Sequence, residues 1–512
     1  MASTRLMRAA ARGGAPRAAP RQADGARAWF IAAVSLVLAG TATDSRKLVS
    51  DSLFDLNLGR YIAAHGLPRR NVWTVAAHGA PWTDQQWLAH LIFYGAWRVA
   101  GYPGLAALSA ALITGGFAML ALLMLRRGIP PARMFAWTMV AFLVCLGNTT
   151  VRAQSFGYLY FGITISLLVT DRPVARMRAR TWLVIPVLLL WANSHGSVLL
   201  GAGLAALYGG YRSVLALARR DKGGAAGGAL LAVASIAAAL CTPYGLAIAR
   251  YYQSLLGRGV LSRYITEWAP PRLESPLSWG FFALVVLCAL AFAVAWLRGA
   301  RPDPILMAGT LILLCLALTA ERNQAWFGFG GSLFAADTLA RARPAAGSLS
   351  RGFRSAVATV LAAAALTSLV ALASTPVSTF EAGFPIRALD AAASIAAGNP
   401  SLRMIGDDWS DTPMLWLHPA MTGRVGFDIR EEQYTSAQLS DYFDFLLRIG
   451  PHWQRVTAGY GIIVISRRQY PWLAAAVHSL PGWRLVFSDR GGSVLVRADV
   501  RTRTEPPRRG SR

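Results

Sequence analysis

Apolar residues fall into eleven long runs, at 28–43, 103–125, 134–147, 155–170, 181–193, 197–217, 226–241, 278–297, 304–320, 325–340 and 355–374. Blocks of this kind, nearly free of charge, predict membrane-spanning helices. Several are shorter than the roughly 20 residues a perpendicular helix needs, so their ends are soft. A further segment, 88–100, is amphipathic and predicts a helix lying in the interface. From about residue 380 the pattern changes. Short β-like runs at 402–405, 424–427, 461–466, 484–488 and 493–497 alternate with helical patterns at 436–449 and 470–480, which predicts a small α/β domain.

The expected fold is a polytopic α-helical membrane protein of about 11 spans with a small C-terminal α/β domain. Its parts are a basic tail over 1–27, a transmembrane domain over 28–374 with an outer loop at 44–100, the α/β domain over 375–500, and a basic tail over 501–512, both tails disordered. Composition agrees: 54% of the 512 residues are hydrophobic and 15% charged, against about 25% charged in soluble proteins. The formal net charge of +26 would suggest nucleic acid on a soluble chain. Here the arginines sit in short loops, where topology explains them better, and no nucleic-acid partner is expected. With the N-terminus inside, the inside loops hold Arg126, Arg127 and Arg133; Arg172, Arg176, Arg178 and Arg180; Arg219, Arg220 and Lys222; Arg298 and Arg301; and Arg341, Arg343, Arg351 and Arg354. This is the positive-inside pattern, and it leaves the C-terminal domain outside. The basic opening resembles a signal peptide, but a retained first span is the favoured reading. The four cysteines lie in or at the ends of apolar runs and read as small core residues.

The same alternation collects unusual polar groups on the outer face: Asp51, Asp55, Asp84, Arg152, His195, Glu267, Glu321 and Arg322. Carboxylates beside a membrane are costly to hold without a role. An Asp can take the proton of an acceptor hydroxyl attacking a sugar. A departing lipid phosphate needs Arg, Lys or a cation. Asp51 and Asp55 are the candidate catalytic acids, with Arg60, Arg152 and Arg322 as candidate phosphate partners. Four residues apart on a helix, Asp51 and Asp55 would share one face, so a divalent cation, Mg or Mn, is a candidate ligand of the pair. Trp73, Trp82, Trp87 and Trp97 read as an interfacial belt, and Asp407, Asp408 and Asp411 as a solvated loop. A lipid-linked glycan transporter and a non-catalytic subunit of an envelope-assembly complex stay open as alternatives.

The first outer loop reads Asp51-Ser-Leu-Phe-Asp55-Leu-Asn-Leu-Gly59-Arg60-Tyr-Ile, then Pro68-Arg-Arg-Asn71-Val-Trp73-Thr74, then Gly79-Ala-Pro81-Trp82-Thr-Asp84-Gln-Gln86-Trp87-Leu88. Further on come Arg152-Ala-Gln154-Ser-Phe, Trp191-Ala-Asn193-Ser-His195-Gly196, Pro243-Tyr244-Gly245, Glu267-Trp268 and Arg322-Asn323. In this order they resemble a bacterial branch of the GT-C superfamily of polytopic glycosyltransferases. The resemblance implies a polyprenyl-phosphate sugar donor and an envelope glycan, lipid or protein as acceptor, at the bacterial cytoplasmic membrane. It also implies that Asp51 is the base, with Asp84, Arg152, His195, Glu267, Glu321 and Arg322 facing substrate. The chain departs from that branch's pattern at Asp55, where a His is usual, at Asn71, where an Asp is usual, and at Gln86, where a Glu is usual.

Overall fold

A computed structural model describes residues 20–169, 177–256, 263–342 and 349–500. Residues 1–19 of the basic opening, the tail 501–512, and Arg172, Arg176 and Arg343 of the inside loops lie outside the described residues.

Every apolar run coincides with a helix. The helical half consists of α1 (Pro20–Asp44), α2 (Ser50–His65), α3 (Trp87–Arg126), α4 (Pro131–Cys145), α5 (Gln154–Val169), α6 (Val184–Ala192), α7 (Val198–Ala218), α8 (Lys222–Leu240), α9 (Ala247–Leu256), α10 (Pro276–Leu297), α11 (Pro304–Thr319), α12 (Gln324–Ala342) and α13 (Arg351–Ala373). Among the described residues seven helices are long and apolar enough to cross a membrane: α1, α3, α4 with its 3-10 extension to Asn148, α7, α8, α10 and α13. The apolar helices 154–169, 179–192 and 304–319 are shorter. The segment 88–100 and the run 103–125 are two helical stretches that meet at a kink. They form α3, broken where Ala100 and Gly101 leave helical geometry. Gly101, at φ +60°, supplies a conformation that a side chain would disfavour.

Backbones approach closely where glycines face one another. A Cβ added at Gly116 of α3 would overlap the Tyr158 carbonyl of α5. One at Gly59 of α2 would overlap the His90 carbonyl of α3. Small residues at such crossings let membrane helices pack without a hydrophobic driving force between them. Away from these crossings, Arg127 is buried and pairs with Asp303 at 2.9 Å and Asp337 at 2.8 Å. It is thus a buried tie from the α3–α4 turn to the start of α11 and to α12, whatever it also contributes to topology.

The C-terminal part contains α14 (Val377–Phe380), α15 (Ile386–Ala397), β1 (Met404–Gly406), α16 (Asp408–Leu417), α17 (Ser436–Leu447), β2 (Ile462–Ser466), α18 (Pro471–Val477), β3 (Trp483–Ser488) and β4 (Gly492–Arg497). The sheet order is β1-β2-β4-β3, with β1 parallel to β2 and the other pairs antiparallel. All five residues of β2 are buried, as a strand covered on both faces requires. The strand expected at 424–427 is reduced to single bridges from Val425 to Thr74 and to Met404. The chain turns at Gly423, at φ +77°, and Arg424 is drawn off to the carbonyls of Leu402, Ala396 and Asn399.

The acidic patch is not a solvated loop. Asp407 and Asp411 are fully buried. Asp407 caps α16, accepting from Trp409 N at 2.9 Å, and also accepts from Ser410 Oγ and Ser466 N. Asp411 accepts from Phe427 N, and Asp408 from the Tyr470 hydroxyl at 2.8 Å. Burial pushes Asp407 up to about 8 and Asp408 up to about 6.

The expected domain boundary at 375 separates elements that share one core. Phe54 and Leu58 of α2, with Trp73 and Trp82 of the outer loop, pack with Leu389, Met404, Met414, Val425, Ile462 and Val464. Trp73 and Trp82 are therefore core residues, not members of an interfacial belt. Between them the Arg430 guanidinium stands 4.8 Å from the Trp73 ring, 4.4 Å from Trp82 and 5.6 Å from Phe54. Arg430 also pairs with Asp428 and donates to Asn71 Oδ1 at 3.0 Å.

Candidate functional site

Asp51 lies in the first turn of α2, where the positive end of the helix favours a carboxylate. Asp55 follows one turn later. Burial raises Asp51 above the usual carboxylate range, Arg152 pulls it down and Glu267 raises it again. No side chain among the described residues donates a hydrogen bond to Asp51. Asp55 is buried and pushed up to about 6 by that burial, against the pull of His90 and with a further push from Asp51.

His90 ties two of the expected acids together. Its Nε2 is 3.1 Å from Asp55 Oδ1, and its Nδ1 is 3.1 Å from Asp84 Oδ2. Asp84 Oδ1 accepts from Gln86 N at 3.0 Å, in a turn that leads into α3. Asp84 is thus a partner of His90. The Asp51–Asp55 pair has Asp55 committed to His90, and no group of three or more His, Cys, Asp or Glu side chains suited to a metal ion occurs among the described residues. Two carboxylates, one of them paired with His90, give a divalent cation too few ligands.

Arg152, in the loop before α5, donates from Nη1 to both oxygens of Glu267, at 2.9 and 3.1 Å, and from Nη2 to Asn148 at 3.1 Å. Burial works against the Glu267 charge, but Arg152 and Arg322 together hold it below the usual carboxylate range. Arg322 lies over the Trp268 ring at 4.3 Å. Among the described residues it makes no hydrogen bond or ion pair, so its guanidinium is open to an anion. Burial, then the charges of Arg322, Arg152 and His90, hold His195 well below its usual range.

Asp51, Arg152, Glu267, Arg322 and His195 thus act on one another electrostatically, although they come from separate loops. Two other expected members are otherwise engaged. Glu321 accepts from Ser278 Oγ at 3.1 Å. Arg60 donates to the Trp416 and Leu415 carbonyls at 3.0 and 2.9 Å and to Asn57 at 2.8 Å, and lies 4.6 Å from the Trp416 ring. Two of its five N–H groups dock the C-terminal part and a third holds Asn57 of its own helix.

Sequence reasoning did not single out His90 or Glu431. Glu431 sits in a 3-10 turn, Glu431–Gln433, that directly follows the clamped Arg430. Burial, then Glu432 and Asp51, push Glu431 up, and Arg322 pulls it down. Neighbouring Glu432 accepts from Trp82 Nε1 at 3.1 Å. A histidine six residues after Asp84 was a signal for His90; nothing in the sequence brought Glu431 near Asp51.

No family model matches the chain, and no curated protein does. Solved structures do. The apo oligosaccharyltransferase from Archaeoglobus fulgidus aligns with a TM-score of 0.50 at 12% identity, covering 91% of this chain and 74% of that one. AglB from the same organism, in complex with an inhibitory peptide and a dolichol-phosphate, gives 0.49 at 12% identity over 91% and 74%. ArnT from Cupriavidus metallidurans, bound to undecaprenyl phosphate, gives 0.47 at 14% over 91% and 97%. The chain shares the fold of that apo oligosaccharyltransferase, with a polytopic helical part and a small C-terminal sheet domain.

Proposed function

We propose that the chain is an integral membrane glycosyltransferase. It moves a sugar from a polyprenyl-phosphate donor to a glycan, lipid or protein acceptor outside the bacterial cytoplasmic membrane. The arginine distribution supports an N-terminus inside and a C-terminal domain outside. The fold it shares with an oligosaccharyltransferase is consistent with glycosyl transfer, though fold alone does not fix function. The observation that carries the reading is the convergence of an available carboxylate, Asp51, with an unmatched cation, Arg322, in one cluster.

In the reaction the acceptor oxygen forms a bond to the sugar's anomeric carbon as the bond from that carbon to the phosphate oxygen breaks. The acceptor proton passes to the Asp51 carboxylate. Burial raises its basicity, which suits that task, and Arg152 favours the ionised form that a base needs. The polyprenyl phosphate leaves with its charge met by Arg322, whose fork suits phosphate oxygens. His195 faces the same phosphate. Arg152 holds Glu267, and Asp55–His90–Asp84 hold α2 against α3.

The test uses purified protein in lipid nanodiscs, a panel of polyprenyl-phosphate sugars and envelope acceptors. Wild type transfers sugar from at least one donor, and Asp51→Asn lowers the rate by roughly 10²–10⁴-fold, the usual contribution of a general base. Full activity in Asp51→Asn rejects Asp51 as base. No consumption of any donor by wild type rejects the enzyme reading.

A further inference from the structure

The turn between α6 and α7 fixes the hydrogen of its histidine. His195 Nδ1 accepts from the Ser197 backbone N–H at 3.2 Å and lies 2.7 Å from Ser197 Oγ. Ser197 Oγ accepts in turn from Trp191 Nε1 at 3.0 Å. An indole N–H can only donate. The Ser197 backbone N–H requires a lone pair at Nδ1, so the Ser197 hydroxyl receives from Trp191 and turns its own hydrogen to Nδ1. A neutral imidazole with an acceptor at Nδ1 carries its hydrogen on Nε2.

The packing around this chain of bonds leaves it little freedom. Trp191 is fully buried. A Cβ at Gly201 would overlap its ring, and a Cβ at Gly157 would come within 2.9 Å of Ser197 Oγ and 3.0 Å of the Trp326 ring. Two glycines thus make room for the relay. Facing the imidazole are the charges of Arg322 and Arg152 and the His90 ring of α3, and together with burial they oppose a proton on His195. No hydrogen bond among the described residues occupies Nε2.

We propose that Trp191 and Ser197 are positioning residues that hold His195 as a neutral Nε2–H donor to the phosphate oxygens of the lipid-linked substrate. This rests on the transferase reading and adds to it the state of one ring. A neutral donor supplies a directed hydrogen bond without a third cation beside Arg152 and Arg322. No proton leaves the ring: His195 stabilises the departing phosphate and does not protonate it.

The ring state is read without turnover, so it can fail separately from the transferase reading. The full chain is labelled with ¹⁵N-histidine and examined by NMR in detergent, with His195→Gln assigning the signals. Nδ1 is expected unprotonated and Nε2 protonated at neutral pH, and Ser197→Ala is expected to shift the ring's titration to higher pH. A proton on Nδ1 at neutral pH overturns the proposal. In the transfer assay, Gln at 195 places an amide N–H near Nε2, whereas Asn places one near Nδ1. His195→Gln should keep activity within about tenfold and His195→Asn should lose roughly 10²–10³-fold, as for loss of an oxyanion donor. Equal losses overturn the donor role. Ser197→Ala should lower kcat several-fold with donor KM little changed, and Trp191→Phe should do the same more weakly. If Ser197→Ala fails to fold, the wild-type NMR and the Gln/Asn contrast decide.

Discussion

Arg152 grips Glu267 through both carboxylate oxygens, at 2.9 and 3.1 Å, and the two act on Asp51 with opposite sign. Arg152 favours the ionised form of Asp51, and Glu267 disfavours it. A base works only when deprotonated. Arg152→Gln should therefore move the acid limb of the transfer pH profile upward by about one unit or more, and Glu267→Gln should move it downward. Shifts of the same sign in both variants would count against Asp51 as the titrating base.

Arg60 separates docking from chemistry. Its contacts run to the Trp416 and Leu415 carbonyls and to Asn57, so Arg60→Ala leaves buried acceptors unmet. Thermal melting in detergent should report a loss of roughly 1.5–3 kcal/mol, as for hydrogen bonds from a charged group. Donor KM in the protein that remains folded should be unchanged. A raised KM with unaltered melting would return Arg60 to the substrate.

Gly59 sets how close α2 comes to α3. A methyl there would overlap the His90 carbonyl and crowd Tyr94 Cβ. Gly59→Ala should destabilise by about 1–3 kcal/mol through overpacking and should lower transfer, because Asp51 and Asp55 ride on the displaced helix. Melting and kinetics together check it; wild-type values in both would mean that the helices part without consequence.

Asp408 makes stability depend on pH. Its folded-state value of about 6 exceeds the ordinary 3.8, so the native state holds the proton more tightly than the unfolded chain. Stability from this group is accordingly lost as pH rises from about 4 through about 6. Asparagine keeps an acceptor for Tyr470 and cannot ionise. Asp408→Asn should match wild type below the ordinary carboxylate range, near pH 3, and exceed it at pH 8. The two-unit shift corresponds to roughly 3 kcal/mol, which partial exposure and screening cut to on the order of 1 kcal/mol. Melting temperatures of the two proteins that run parallel from pH 3 to 8 would refute it.

The helices were legible because a bilayer allows little else: uncharged apolar runs must satisfy their own backbone, and each became a helix. Asp51, Arg152, His195 and Arg322 were legible together through loop charge alternation, which put them on one face. What a charge is spent on was not legible. Arg60 and Arg322 look alike in sequence, yet one is consumed by carbonyls and the other by none. His90 escaped notice inside an amphipathic stretch with no charge pattern of its own. Asp407, Asp408 and Asp411 read as solvated because a short acidic run usually is. The Asp407-x-Trp409 turn that buries a capping carboxylate is visible only once β1 and β2 flank it. The segment at 424–427 has strand-like residues, but strand formation needs a partner on each side for several residues, and Val425 finds each for only one.

The Arg430 box has a mechanical corollary. Pulling the sheet region off the helical half would drag a desolvated guanidinium from the Trp73 and Trp82 rings and break its hydrogen bond to Asn71 Oδ1. A hydrogen bond from a charged group is worth about 1.5–3 kcal/mol, and the ring contacts add to it. The two halves share this one core, and a gene split at 375 would leave each fragment with half a socket.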